Sequence, residues 1–426
     1  MESSRSPYAG LSPYSAADAD FFFGRERERR VIVNSLDARS LTLVFGPRGA
    51  GKSSLLRAGV VRALEAREPL GEPSSGPAVV VFSDWRSDPL SRLTDEIAST
   101  IERAGGEAAP SNGGSFADTV ARATHVVPEL YLILDSVEDY FFYHGADPTL
   151  AVGLARVLDR REATPRVLLS VRDDALGEVA RFGPQLPTLL QGPIRIGHLT
   201  REGAREAIVR PLQRYGELYG TEMEIEPLLV ETVLDEVQTG GHLAPEIMAQ
   251  PGMGDEPGIE MAYLQIVLTR LWEEEIAMGS HCLRLATLQG LGDAQAILRE
   301  TVDDALVRLS PDEQETAADV LGFLVTPSGN RIAQTIPDLA AYSGRAEADV
   351  AQVAERLSDQ RIVRFVGPAT IEVFHDALSA PILAWRPTAR GGRKIGTGAR
   401  QVKRYTVLVV VLAVVAVVEL LLLLSR

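Results

Sequence analysis

The sequence predicts an α/β fold: a doubly wound parallel sheet of five strands, then a helical subdomain, a winged-helix-like domain and one C-terminal transmembrane helix. Three observations predict it. A short apolar run, Leu41 to Phe45, leads through a glycine-rich turn into a helical pattern, and four more short strand-like runs follow, separated by helical patterns. Past residue 300 short helices precede two β-like runs, Ile362 to Val366 and Thr370 to Phe374. Near the C-terminus Thr406 to Leu424 is almost purely Val, Leu and Ala, broken by Glu419.

The turn after the first strand reads Gly46-Pro47-Arg48-Gly49-Ala50-Gly51-Lys52-Ser53-Ser54, the spacing of a phosphate-binding P-loop. Glycines let successive backbone N–H groups point inward at phosphate oxygens, and the helix that follows adds its positive end. Lys52 is then placed to reach the β- and γ-phosphates and the Ser53 hydroxyl to ligate Mg²⁺, which implies ATP and ADP as ligands.

The remaining strands are read in order. Before the loop, Phe21-Phe22-Phe23-Gly24-Arg25-Glu26 opens a helix to about Leu36. Ala78 to Ser83 is a buried strand by composition. Leu130 to Leu134 ends in Asp135, an acid at the carboxyl edge of a strand, where α/β sheets place ligands. Asp135 is the second expected Mg²⁺ ligand. Ser136 follows it instead of an acid, so Glu138, or else Asp139, is expected to position the attacking water, Glu138 being preferred. Arg166 to Val171 is the fourth strand, with Arg172 at its edge, placed to sense a γ-phosphate or to pair with Asp173 or Asp174. Ile194 to Ile196 is the fifth. Two strands of independent signature lie between the P-loop strand and the last, which favours the branch of P-loop folds whose acid-bearing strand is not the direct neighbour of the P-loop strand.

From Thr200 the strands stop. A helix begins there, with Pro211 expected to end it, and amphipathic helices follow over Ile225 to Val237 and Ile259 to Ile276. The domains expected are a lead-in over residues 1–20, the NTPase domain over 21–199, the helical subdomain over 200–300, the winged-helix-like domain over 301–386, a basic linker over 387–404 and the membrane helix over 405–424.

Charge and composition bound the function. The chain of 426 residues carries a net charge of −15 and one cysteine, which argues against wrapping nucleic acid and against disulfides or a cysteine metal cluster. Between Thr301 and Arg386 thirteen acids stand against seven basic residues, which disfavours DNA docking by the hairpin unit. Residues 387–404 reverse this with Arg390, Arg393, Lys394, Arg400, Lys403 and Arg404 and no acid, a collar suited to an anionic leaflet. The positive-inside rule then predicts a single-pass membrane protein with its N-terminal body in the cytoplasm. Residues 1–20 hold no apolar run after a basic start, so no signal peptide is expected.

Taken together, these pieces resemble the STAND signalling NTPases, and among them the bacterial "novel STAND NTPase" group. The residues that carry the resemblance are Pro7-Tyr8, Gly10-Leu11, Phe22-Phe23-Gly24-Arg25-Glu26, the P-loop, Asp135 and Glu138, Val171-Arg172, Tyr263-Leu264-Gln265, Leu271-Trp272 and Phe374-His375-Asp376-Ala377-Leu378. The resemblance implies a switch that ADP holds closed and ATP opens to homo-oligomerise, with slow hydrolysis as its timer. It implies that Gly24 and Arg25 border the adenine and that His375 bridges to the β-phosphate of ADP, against the alternative of a His that caps the last helix. Relatives often carry a proline before Tyr-Leu-Gln, where this chain has Ala262. The function expected is a membrane-anchored ATP/ADP switch or scaffold with a protein signalling partner. The rivals are a transcription regulator that binds DNA through the winged helix, and a rapidly turning motor-like ATPase.

Overall fold

Strand β1 (Leu41–Gly46) pairs in parallel with β4 (Arg166–Arg172) on one side and with β5 (Ile194–Arg195) on the other. Strands β2 (Ala78–Phe82) and β3 (Leu130–Leu134) complete a five-stranded sheet in the order β2-β3-β4-β1-β5, with every pairing parallel. The computed structural model behind this description covers residues 5–67, 76–86, 88–103, 115–127, 129–160, 164–238, 258–326, 331–366 and 369–390. The order bears out the expectation that the Asp135 strand is set one strand away from the P-loop strand: β4 lies between them.

Why these runs form buried strands follows from their side chains. Alternate residues point to opposite faces. Leu130, Leu132 and Leu134 of β3 join Val167, Leu169 and Val171 of β4 in one core, while Tyr131, Ile133 and Leu168 join the other. Both faces are covered, so both sets are apolar, as a parallel sheet requires. The first face is covered by α3 (Pro89–Arg103), α4 (Phe116–Val126) and α6 (Thr149–Leu158), through Leu93, Ile97, Phe116, Val120, Leu150 and Leu154. The second is covered by α1 (Glu26–Ala38), through Ile32 and Leu36, and by the helix after the P-loop. That helix, α2, starts as Lys52–Ser54, widens to a π-helix over Leu55–Val60 and closes as Val61–Glu65. Helix α5 (Glu138–His144) follows Asp135 directly.

The chain divides into two units, Met1–Glu300 with Val366–Pro368, and Thr301–Phe365 with Ala369–Arg426. In the first unit, α7 (Arg201–Tyr219) runs straight through Pro211. The expectation that Pro211 ends the helix is corrected. Ala204, Ala207, Ile208, Leu212 and Tyr215 form one buried face across the proline, and that burial outweighs a cost of roughly 3 kcal/mol. A two-stranded parallel pair, β6 (Glu224–Ile225) and β7 (Cys282–Leu283), ties α8 (Pro227–Glu236) to α9 (Met261–Ala277) and α10 (Leu285–Leu291). The boundary between the units falls within α11 (Ala294–Val307).

The second unit holds α12 (Pro311–Leu324), α13 (Ile336–Ser343) and α14 (Glu347–Asp359) with an antiparallel sheet, β8 (Gln334–Thr335), β9 (Val363–Phe365) and β10 (Thr370–Val373), ordered β8-β10-β9. Helix α15 (Ser379–Arg390) passes through Pro387, so the linker expected from residue 387 begins in a helix instead. Trp385 and Ile382 are buried on its preceding turns, and their packing sustains the helix into that stretch. The membrane helix expected over residues 405–424 lies outside the described residues, as does most of the basic linker. Among the described residues no helix is long and apolar enough to cross a membrane.

Candidate nucleotide site

The loop between β1 and α2 has the backbone the sequence demands. Gly49 and Gly51 take φ of 74° and 79°, the left-handed region that costs glycine nothing, and Gly51 caps the helix. Ala50 at the crown is buried. The Lys52 ammonium folds back over the loop, donating to the carbonyl oxygens of Gly46 at 2.8 Å and Pro47 at 3.0 Å. Burial lowers the Lys52 pKa, while Glu138 and then Asp135 pull it the other way, so two of the expected acids act on this amine.

Asp135 ends β3 at the same sheet edge and is 1 % exposed. Its backbone carbonyl accepts from the buried Trp85 indole N–H at 2.8 Å. Its carboxylate oxygens are buried and neither has a hydrogen-bond partner among the described residues. A buried carboxylate without hydrogen bonds is costly, so this is a place for a cation. This carboxylate and the Ser53 hydroxyl are hard oxygen donors of the kind that suits Mg²⁺, which usually takes one or two protein ligands and completes its shell with phosphate and water.

Ser136 takes φ of 57°, an uncommon conformation for a residue other than glycine. That turn carries the chain from β3 into α5, and Glu138 comes to the tip of β4. There its carboxylate accepts from the Arg172 backbone N–H at 3.2 Å. Burial raises the Glu138 pKa to about 7, opposed by its own backbone amide, Lys52 and Arg172 and reinforced by Asp139. Arg172 stands in register with Gly46 across the β1–β4 pair. Its guanidinium forms a bidentate pair with Asp174, at 2.9 Å for both bonds, and lies 4.0 Å from Glu138. The sheet edge therefore brings together the P-loop, Asp135, Glu138 and Arg172.

Arg25 is also part of this site. It is 5 % exposed, and its guanidinium donates to the carbonyls of Ala50 at 2.7 Å and Gly197 at 2.9 Å and pairs with Glu28 at 2.6 Å. It braces the loop crown against the chain leaving β5. Gly24 beside it has φ of 87°, and a β-carbon there would stand 2.1 Å from the Gly203 carbonyl oxygen, so only glycine lets this lead-in meet α7. The Ser54 hydroxyl accepts from the Tyr14 N–H at 3.2 Å. Gln265 of Tyr263-Leu264-Gln265 is buried, and its side-chain oxygen accepts from the Tyr14 hydroxyl at 3.1 Å and the Ala9 N–H at 3.0 Å. His375 belongs to the second unit, where its Nδ1 accepts from the Ala377 N–H at 3.2 Å and so caps the turn before α15.

Two groups were not singled out by the sequence. Arg57 lies 3.5 Å from the Asp135 carboxylate, and its only signal was a charge inside an apolar helical pattern. Glu260 and Met261, at the start of α9, flank the P-loop: a β-carbon on Gly49 would meet Glu260 at 3.7 Å, and one on Gly51 would meet Met261 at 3.8 Å.

A family model described as Novel STAND NTPase 1 matches residues 7–390. No curated protein matches the chain. Among solved structures it is similar to the Aeropyrum pernix ORC1 protein in complex with DNA, at 17% identity over 87% of this chain and 95% of that chain, with a TM-score of 0.46. It is also similar to the Walker-type ATPase PABY2304 of Pyrococcus abyssi, at 16% identity over 88% and 99%, with a TM-score of 0.42. A third likeness is to the Aeropyrum pernix ORC2 protein in its ADPNP–ADP complexes, at 15% identity over 85% and 93%, with a TM-score of 0.43.

Proposed function

Starting from the fact that this chain belongs to the Novel STAND NTPase 1 family, we propose that it is an ATP/ADP-binding signalling switch with slow hydrolysis. One observation carries this reading: the buried Asp135 carboxylate, which accepts no hydrogen bond among the described residues, at the sheet edge that also holds Lys52 and Glu138.

The roles follow from the residues. The Gly46–Ser54 loop offers backbone N–H groups and a helix start to the phosphates. Lys52 exchanges its two loop carbonyls for phosphate oxygens. Ser53 and Asp135 would hold Mg²⁺, which when bound would neutralise charge on the phosphates. Glu138, ionised above about pH 7, orients water. Arg172, released from Asp174, reads the far phosphate. Arg25 keeps the crown of the loop in its binding shape.

The switch is proposed to open on exchange of ADP for ATP and to assemble into homo-oligomers. The second unit is proposed as a winged-helix-like module, on the order helix, strand, two helices and a β9–β10 hairpin. Its acidic balance fits a protein partner better than DNA. Residues 405–424 are proposed as a single membrane anchor on their apolar composition, with the basic residues before them keeping the body cytoplasmic. The test is the size of the detergent-solubilised full chain with ADP and with a non-hydrolysable ATP analogue. A larger particle with the analogue supports the switch, and equal sizes in both contradict it.

A further inference from the structure

We propose that Arg57 is the metal-exchangeable counter-ion of Asp135: guanidinium and divalent cation compete for one carboxylate, and Arg57 sets the metal affinity of the switch. The inference rests on the nucleotide reading above and adds a residue to which that reading gives no role.

Asp135 has to be balanced by a cation because its carboxylate is buried without hydrogen bonds. Lys52 is committed to the carbonyls of Gly46 and Pro47. Arg57 supplies the charge, with Nη2 at 3.5 Å from Oδ2. At that distance the pair attracts but makes no hydrogen bond, so it is easily replaced. Arg57 also has somewhere to go. Its Nη2 already donates to the exposed Ser83 hydroxyl at 3.0 Å, and its side chain is 36% exposed, whereas the Asp135 side chain is 2% exposed. One end of the contact is fixed and the other can swing. The buried Nε of Arg57 has no hydrogen-bond partner among the described residues, so the guanidinium is held by the Ser83 bond and by its charge.

The backbone aims it there. Arg57 lies in the π-helical stretch of α2, where the wider turn alters the direction of each side chain relative to an α-helix. A charge among Leu55, Leu56, Ala58 and Val60, all buried, is directed along the sheet edge toward the ends of β2 and β3.

The experiment is a Mn²⁺ titration of the full chain with one equivalent of ADP, followed by loss of the free-ion electron paramagnetic resonance signal. Removing the competing charge in Arg57→Met should tighten Mn²⁺ binding by about tenfold, and Arg57→Gln should do the same while keeping a donor for Ser83. Arg57→Lys should stay near the parent. The gain should vanish in the Arg57→Met, Asp135→Asn double variant. Unchanged or weaker Mn²⁺ binding in both neutral variants, with the parent binding normally, overturns the inference and leaves the nucleotide reading standing. A parent that takes up no Mn²⁺ with ADP overturns both.

Discussion

The Arg25 guanidinium donates to the carbonyl oxygen of Ala50 at 2.7 Å, so a residue of the lead-in, 25 positions upstream, braces the crown of the phosphate loop. The same nitrogen reaches Gly197 beyond β5 at 2.9 Å. One buried cation thus joins three separate segments and braces the loop from within the chain.

Arg25→Ala should therefore strip partners from two carbonyls and lower stability by about 2–4 kcal/mol. Nucleotide affinity should fall about tenfold or more as the loop loses its fixed shape. Arg25→Lys should recover part of the stability, because one ammonium cannot reproduce the planar fork. Thermal unfolding and a fluorescent-nucleotide titration check both. Unaltered affinity in Arg25→Ala would show that the loop holds its shape unaided.

Glu138 sets the pH dependence. Its pKa is raised by burial to about 7, above the 4.5 of a free side chain. Hydrolysis that needs the ionised form should rise with pH through about 7, and the inflection should disappear in Glu138→Gln. Stability runs the opposite way. The folded state favours the protonated form, so this group's contribution is fully present below about pH 4.5 and is lost as pH rises through about 7. At pH 8 Glu138→Gln should be more stable than the parent, by at most about 3 kcal/mol. Chemical denaturation at pH 5 and pH 8 measures the difference.

The Tyr14 hydroxyl and N–H tie the lead-in to Gln265 of α9 and Ser54 of α2. Tyr14→Phe removes the buried hydroxyl that Gln265 and the Pro7 carbonyl share, at 3.1 Å and 3.3 Å, and should cost about 1 kcal/mol. The loss should be local, appearing as faster amide exchange over residues 7–22 with little change in the sheet. Uniform loosening of the whole chain would contradict the assignment of this contact to the lead-in.

His375 caps the turn before α15 through Ala377. His375→Ala should lower the stability of the second unit by about 1 kcal/mol, read by proteolysis or unfolding. An unchanged stability would mean that the contact carries no weight.

Much of this was legible in the chain. Apolar runs such as Leu130 to Leu134 can only be buried strands, and Gly46, Gly51, Lys52 and Ser53 have a spacing tied to phosphate chemistry. Asp135 was legible because an acid closing such a run has one sensible place, the sheet edge. The rest depends on contacts between distant segments. Pro211 reads locally as a helix stop, yet a continuous buried face carries the helix past it. Gln265 is among the residues that carry the family resemblance, and its oxygen is engaged by Tyr14 and Ala9, some 250 positions away. Arg57 was hidden because its significance comes from Ser83 and Asp135, just past the ends of β2 and β3. The choice of Glu138 over Asp139 was also open in sequence. The left-handed residue Ser136 and the hydrogen bond from the Arg172 N–H hold Glu138 at the tip of β4, and comparing hydrolysis in Glu138→Gln and Asp139→Asn tests the choice.

The most direct test of the account is the calorimetric titration of ADP and ATP, each with Mg²⁺, into the full chain and into Lys52→Ala. The account predicts that the parent binds one nucleotide, that Lys52→Ala loses at least about a hundredfold in affinity, and that Asp135→Asn keeps nucleotide binding but loses its dependence on Mg²⁺. Binding to Lys52→Ala with the parent's affinity would contradict it.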